Sequence, residues 1–206
     1  TDPGVTAQLN GGTHMPFEDI GLMRLIPDLI ILDPSDTQSC YELVRQAYES
    51  GHSSYTRIRR KGATHRYPVG TKIELGKGIV VREGLDLTIV ATGETMMEQA
   101  EKACDILSAK GIKARLIDLH TIKPLDTDII EKAARETGRI LVCENARYAG
   151  GVGEAIAAHL ARTCPTKMDF VNVGERFGEV GKIDYLLKAF HFTADDIAAK
   201  AEALVK

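Results

Sequence analysis

Residues 9–19, LNGGTHMPFED, set two glycines, a threonine and a histidine before a proline and an acidic pair. A histidine beside free backbone amides donates a hydrogen bond or relays a proton, because imidazole changes charge near neutral pH. Gly11, Gly12, Thr13 and His14 read as lying just before a helix N-terminus, where orphan amides and the dipole end suit polar or anionic groups. The paired glycines let backbone come close. The same residues also make an ordinary turn in which Thr13 caps the helix and His14 is solvated, and both readings stand at this stage.

Arg57, Arg59, Arg60 and Lys61 form a second cluster. On a strand, Arg57 and Arg59 face one side while Ile58 and Arg60 face the other. An arginine sharing a face with a buried Ile58 at the strand end offers a planar fork to phosphate or carboxylate. The alternative is a charged edge strand. Gly150, Gly151 and Gly153 join a strand to a helix, but the third glycine of a dinucleotide loop is absent and Glu154 brings negative charge into the first turn. They read as close packing of helix on sheet. Asp118 and His120 end a strand with nothing nearby to activate them. Cys40, Cys104, Cys143 and Cys164 fit neither a zinc module nor a disulfide scaffold, and Cys143 in RILVCEN reads as a small strand hydrophobe.

The elements that must position these residues fall into two unequal parts. In the first, MPFEDIGLMRLIP reads as a helix with Pro16 at N1 and Phe17, Ile20, Leu22 or Met23, and Leu25 on one face. DLIILDP reads as a doubly covered strand. A helix follows, opened by Ser35 and Gln38 at capping-box spacing, with Tyr41, Val44 and Tyr48 as its buried stripe and Gly51 as its stop. SSYTRIRRKG reads as a strand. Residues 63–84 read as an extended, hairpin-like linker. From residue 85 strands alternate with helices, ending in a helical tail from about Thr193, which implies right-handed crossovers and a mainly parallel sheet. Residues 85–206 read as a complete α/β domain. Residues 1–62 read as an incomplete one, whose apolar strand needs cover from upstream residues or from another chain.

The 206 residues are 44% hydrophobic and 27% charged with a formal net charge of -3, which is ordinary globular composition without the basic field of a nucleic-acid binder. No apolar run reaches the roughly 18 residues of a membrane span, and the first residues lack a signal-peptide pattern. The expectation is a soluble, cytoplasmic protein with no nucleic-acid or membrane partner.

GGTHMPFEDIGLMRLIPDLIILDPSD resembles the G-x-T-H-Q-P-x-E-D segment of transketolases and the related deoxyxylulose-phosphate synthases. KIELGKGIVVREGLDLTIVATG, ARLIDLHTIKPLD, ENARYAGGVGEAIAAHL and VNVGERFGEVGKIDYLLKAF are similar, in order, to the linker and C-terminal domain of that family, especially of bacterial transketolases split into two subunits. The resemblance implies an α/β chain made of an incomplete thiamine-diphosphate pyrimidine-binding domain and a mainly parallel C-terminal domain. It implies that His14 contacts the donor sugar's hydroxyl groups beside thiamine diphosphate, that Arg60 holds the substrate phosphate, and that Asn10 reads a substrate hydroxyl.

Two positions depart from the family pattern. Asp2 stands where a second, phosphate-binding histidine is usual, and Asn10 stands where an aspartate is usual. These leave the sugar open, unphosphorylated or unusual ones included. The glutamate and aromatic stack that hold the aminopyrimidine are not matched in this sequence, and the diphosphate with its magnesium ion belongs to the other subunit. The resemblance therefore implies a chain inactive alone, paired with an N-terminal transketolase subunit and dimerising as that pair. Together they would transfer a two-carbon ketol unit between sugars, as in the pentose phosphate pathway. Deoxyxylulose-phosphate synthesis from pyruvate and a non-catalytic assembly module are the alternatives.

Overall fold

The computed structural model describes residues 2–60 and 64–206. The chain opens with two 3₁₀ turns, Gly4–Asn10 and Gly12–His14, and a short helix α1, Asp19–Arg24. β1, Ile30–Leu32, is buried on both faces, as its aliphatic run predicts. α2, Thr37–Glu49, and β2, Ser54–Thr56, complete this part. Then come β3 (Ile79–Arg82), β4 (Leu87–Ala91), α3 (Gly93–Ala109), β5 (Ala114–Asp118), β6 (Thr121–Lys123), α4 (Thr127–Thr137), β7 (Arg139–Cys143), α5 (Val152–Thr163), β8 (Lys167–Val171), α6 (Ile183–Ala189) and α7 (Ala194–Val205).

The larger sheet has the order β3-β5-β4-β7-β8 and is parallel except for β3, which runs against β5. Alternation along the strands splits its side chains between two cores. Leu87, Ile89, Leu116 and Leu141 pack with Met96, Ala100 and Leu107 of α3 and with Ile197 and Ala201 of α7. Val90, Ile117, Ile140 and Val142 pack with Ile130 and Ala134 of α4 and with Ile156 and Leu160 of α5. The mainly parallel, doubly covered sheet expected from the sequence is present.

The smaller sheet has the order β2-β1-β6. β1 runs parallel to β2 and antiparallel to β6. The third strand thus comes from this chain's own C-terminal half, a source that the sequence reading did not weigh. The joining segment is no hairpin: among its described residues it supplies the single strand β3 to the larger sheet.

Three local expectations need correction. Pro16 is not at N1 of α1, which begins at Asp19. Phe17 instead drops into the core at 2% exposure while Leu22 and Leu25 face outward. α2 is capped one residue later than expected: the Asp36 carboxylate accepts from the Ser39 amide at 2.8 Å, and the Asp36 amide donates to Ser39 Oγ at 3.0 Å. Ser35 instead donates its hydroxyl to Asp118. The face of α2 that lies on the smaller sheet is Leu43 and Ala47, while Tyr41, Val44 and Tyr48 are exposed. α6 had no counterpart in the sequence reading.

Candidate active site

His14 is exposed because its neighbours are anchored. Met15 and Phe17, which follow it, are buried in the core between the larger sheet, α3 and α7, and the chain just before them leaves the imidazole exposed. Burying Phe17 alone contributes about 1.5–3 kcal/mol, enough to hold this short segment in place. The preceding turn is clamped from the other side. Gly11 adopts φ 72°, and a Cβ on Gly12 would lie 2.9 Å from the Gly178 carbonyl oxygen. The paired glycines therefore admit a loop of the same chain rather than a ligand. They also do not precede a helix N-terminus, since α1 starts five residues after His14 and has no side-chain cap.

Thr13 Oγ1 lies 2.9 Å from His14 Nδ1 and 3.4 Å from the Asn10 carbonyl oxygen. The hydroxyl has one proton to give. Donated to Asn10, it leaves Oγ1 to accept from Nδ1–H, so that Nε2 is an acceptor; donated to Nδ1, it leaves Nε2–H as a donor. Either way, Nε2 has no partner among the described residues and is the nitrogen left for a ligand.

His14 and Arg60 line one open concavity of about 520 Å³, with Asp2, Thr13 and Glu18 also on its wall. Asn10 lies on a smaller hollow of about 100 Å³ that shares Asp2 and Arg60 with the first. Arg60 Nε donates to Asp2 Oδ2 at 2.7 Å, and its amide donates to Asp2 Oδ1 at 3.3 Å. Burial works to raise the Asp2 carboxyl, but the bonds from Arg60 and Thr6 outweigh it and hold the group below its ordinary range. Among the described residues no cluster of three or more His, Cys, Asp or Glu is arranged to hold a metal ion.

The other arginines have different work. Arg57 is wholly buried, with Nε 2.9 Å from Asp19 Oδ2 and Nη1 2.9 Å from Asp33 Oδ2. Its Nη2 donates to the carbonyls of Pro16, at 3.3 Å, and Asn145, at 2.8 Å. Burial opposes its charge, yet the two carboxylates more than restore it and push the guanidinium above its ordinary range. Arg59 pairs with Glu94 at 3.2 Å. The strand expected over these residues ends at Thr56, so Arg57 to Arg60 lie beyond it, and Ile58, read as buried, is 45% exposed. Lys61 lies outside the described residues.

Family models place residues 2–63 in the transketolase pyrimidine-binding domain and residues 76–197 in the transketolase C-terminal domain. This chain belongs to the transketolase family. It is 38% identical over its whole length to the 6-deoxy-6-sulfo-D-fructose transketolase subunit of Clostridium sp. (strain MSTE9), of which it covers 64%. A 1-deoxy-D-xylulose-5-phosphate synthase from Heliobacterium modesticaldum is 34% identical over 95% of the chain, which covers 30% of that protein. A solved structure described as a split gene transketolase, inactive beta4 tetramer, superposes with a TM-score of 0.87 at 31% identity, over 94% of this chain and 62% of that one. The chain thus spans less than two thirds of the length of the relatives it matches.

In this transketolase-family chain the glycine-rich loop before α5 is filled by the protein itself. Glu144 Oε2 accepts from the Val152 amide at 2.6 Å and Oε1 from the Gly153 amide at 3.1 Å, so a buried carboxylate occupies the place where a phosphate would sit. A Cβ on Gly151 would come within 2.5 Å of that carboxylate, and one on Gly153 within 2.5 Å of the Phe170 ring. The packing role read from the sequence is the one these contacts describe. Glu144 itself was missed; an acidic residue between an apolar strand and a glycine pair was the available signal. Asn145, also missed, fastens the N-terminal turn: its Oδ1 accepts from the Val5 amide at 3.1 Å and its Nδ2 donates to the Pro3 carbonyl at 2.9 Å. Asp118 and His120 are both fully buried, Asp118 accepting from Ser35 and Tyr67. None of the four cysteines is disulfide-bonded, and burial pushes the Cys143 thiol up, away from a reactive thiolate.

Burial raises the Glu144 carboxyl to about 7, the two amides pulling it part of the way back. Its folded pKa therefore lies above its unfolded one, and the folded state binds the extra proton between about pH 4.5 and 7. The contribution is fully present below the unfolded pKa and is lost as pH rises through 7. Thermal unfolding of the wild type should lose several degrees between about pH 5 and 8, and Glu144→Gln should flatten that slope. An identical slope in the variant would remove Glu144 as its source.

Proposed function

We propose that this chain is the C-terminal part of a thiamine-diphosphate-dependent transketolase that moves a two-carbon ketol unit between sugars together with a separate N-terminal subunit. The observation that carries the reading is that His14 and Arg60, far apart in sequence, share one open concavity in a chain of this family. The divisions at residues 1–62, 63–84 and 85–206 then correspond to the end of the pyrimidine-binding domain, the linker and the C-terminal domain.

Thiamine diphosphate, when bound, supplies the carbanion chemistry. The described residues fit one wall of such a site. They offer an imidazole with a free nitrogen, but no metal cluster, and the glycine-rich helix end is plugged by Glu144. In this reading the diphosphate and magnesium are held by the partner subunit. His14 orients the donor through hydrogen bonds from Nε2 to its hydroxyl groups and passes a proton there, Asn10 reads a hydroxyl further out, and Arg60 anchors the far end. The pair of subunits assembles as a dimer. No helix among the described residues is long and apolar enough to cross a membrane, which accords with a cytoplasmic enzyme. The solved relative described as inactive as a beta4 tetramer supports a chain without activity alone, and the Clostridium relative makes 6-deoxy-6-sulfo-D-fructose a candidate donor.

A second reading, deoxyxylulose-phosphate synthesis, is favoured by the Heliobacterium relative. The two differ in donor. The full gene product containing this chain, reconstituted with its N-terminal subunit, thiamine diphosphate and magnesium, is expected to turn over a ketose with an aldose acceptor and to release no carbon dioxide from pyruvate. The chain alone is expected to do neither. Turnover of pyruvate alone would replace ketol transfer with the second reading.

A further inference from the structure

The guanidinium at the far end of the His14 concavity is already half engaged. Asp2 takes both the Nε edge of Arg60 and its amide, at 2.7 and 3.3 Å, and stays ionised because of those bonds. The Arg60 side chain is still 57% exposed, and neither Nη atom has a partner among the described residues. One edge of the fork is spent, then, and one is open to an oxyanion.

The other charges around this edge add no cation. Glu18, on the same wall, is bonded by Arg147 at 2.7 Å. Arg59, the preceding residue, is paired with Glu94. Among the described residues the wall thus carries the Asp2 and Glu18 carboxylates and the His14 imidazole, with Arg60 as its cation. A group with one negative charge finds two parallel donors there. A second charge on the same group finds no further cation among the described residues and lies beside the Asp2 carboxylate, the like-charge juxtaposition by which sites reject a ligand.

We infer that the sugar end held at Arg60 is a singly charged oxyanion of the sulfonate type rather than a phosphate dianion. The inference rests on the ketol-transfer reading above and sharpens its substrate class.

Three ketohexose donors alike except at carbon 6 separate the cases: a phosphate, its sulfonate isostere and a plain hydroxyl, each assayed as ketol donor with the reconstituted assembly. At about pH 7.5 the sulfonate donor should exceed the phosphate donor in kcat/KM by about tenfold or more, and should also exceed the hydroxyl donor. Lowering the pH to about 5.5 adds one proton to the phosphate dianion, whose conjugate acid has a pKa of about 6, and leaves a monoanion, so the sulfonate-to-phosphate ratio should shrink by about tenfold. Groups of the protein remote from the charged end act on both donors alike and cancel in the ratio, and measuring the same ratio in His14→Ala separates any change at the imidazole from that of the ligand. Asp2→Asn should raise the phosphate donor relative to the sulfonate donor by several-fold; the wild-type pH profile stands without it if that variant does not fold.

Ketol transfer that favours the phosphate donor at pH 7.5 with a ratio independent of pH would overturn the inference and leave the reading beneath it intact. Equal use of the hydroxyl and sulfonate donors would overturn it in the same way. No transfer from any of the three would remove the ketol-transfer reading, and the inference with it.

Discussion

Arg57→Met is expected to destabilise the chain by about 3–5 kcal/mol, the loss seen when one partner of a buried ion pair is removed and the other is left behind. Two carboxylates are left here: Asp19 and Asp33 are 7% and 2% exposed and both bond the guanidinium at 2.9 Å. Two carbonyls, of Pro16 and Asn145, lose their donor as well. At roughly 2–4 °C per kcal/mol for a chain of this size, the melting temperature should fall by about 10 °C. Neutralising the orphaned acids together with the arginine, as Arg57→Met/Asp19→Asn/Asp33→Asn, should recover part of the loss. A single-variant loss below about 1 kcal/mol would show that water reaches the cluster and that the core does not depend on it.

That cluster is where the sequence was least readable. The alternation read over Arg57 to Arg60 assumed a strand that ends at Thr56, and alternation cannot say which side chain is inside. The natural guess, that an isoleucine is buried and an arginine exposed, is inverted here because Asp19 and Asp33 arrive from α1 and from the end of β1, remote in sequence. Spacing offered Arg60 as an anion ligand beside the alternative of a charged edge strand, and the family likeness gave it the substrate-phosphate role. The parallel domain was legible for the opposite reason, since strands and helices of regular length carry their own period and turn signals. β6 was not, because three residues, TIK, leave that domain to pair with β1 and no local pattern announces a partner in another sheet. On α2 the tyrosines looked like a buried stripe, while the smaller residues Leu43 and Ala47 fit the narrow sheet beneath. His14 was legible as an exposed residue beside glycines. The purpose of those glycines was not, since the loop that packs against them lies more than 150 residues away in sequence.

The second large effect is expected at His14. Its side chain is exposed and, among the described residues, bonded only to the neighbouring threonine hydroxyl, so His14→Ala should leave thermal stability within about 0.5 kcal/mol of the wild type. Activity should respond differently, because a positioned acid-base group contributes about 10²–10⁴-fold to the step it serves. Because His14 also orients the donor, kcat should fall along with kcat/KM rather than KM alone rising. Arg60→Ala, by contrast, should act chiefly on KM for donors with a charged end.

The direct measurement is ketol transfer by the reconstituted assembly carrying His14→Ala, with melting temperature recorded on the same preparation. The account predicts a loss of at least about tenfold in turnover at unchanged stability. Turnover equal to the wild type would take the imidazole out of the reaction and contradict the placement of the active site at this concavity.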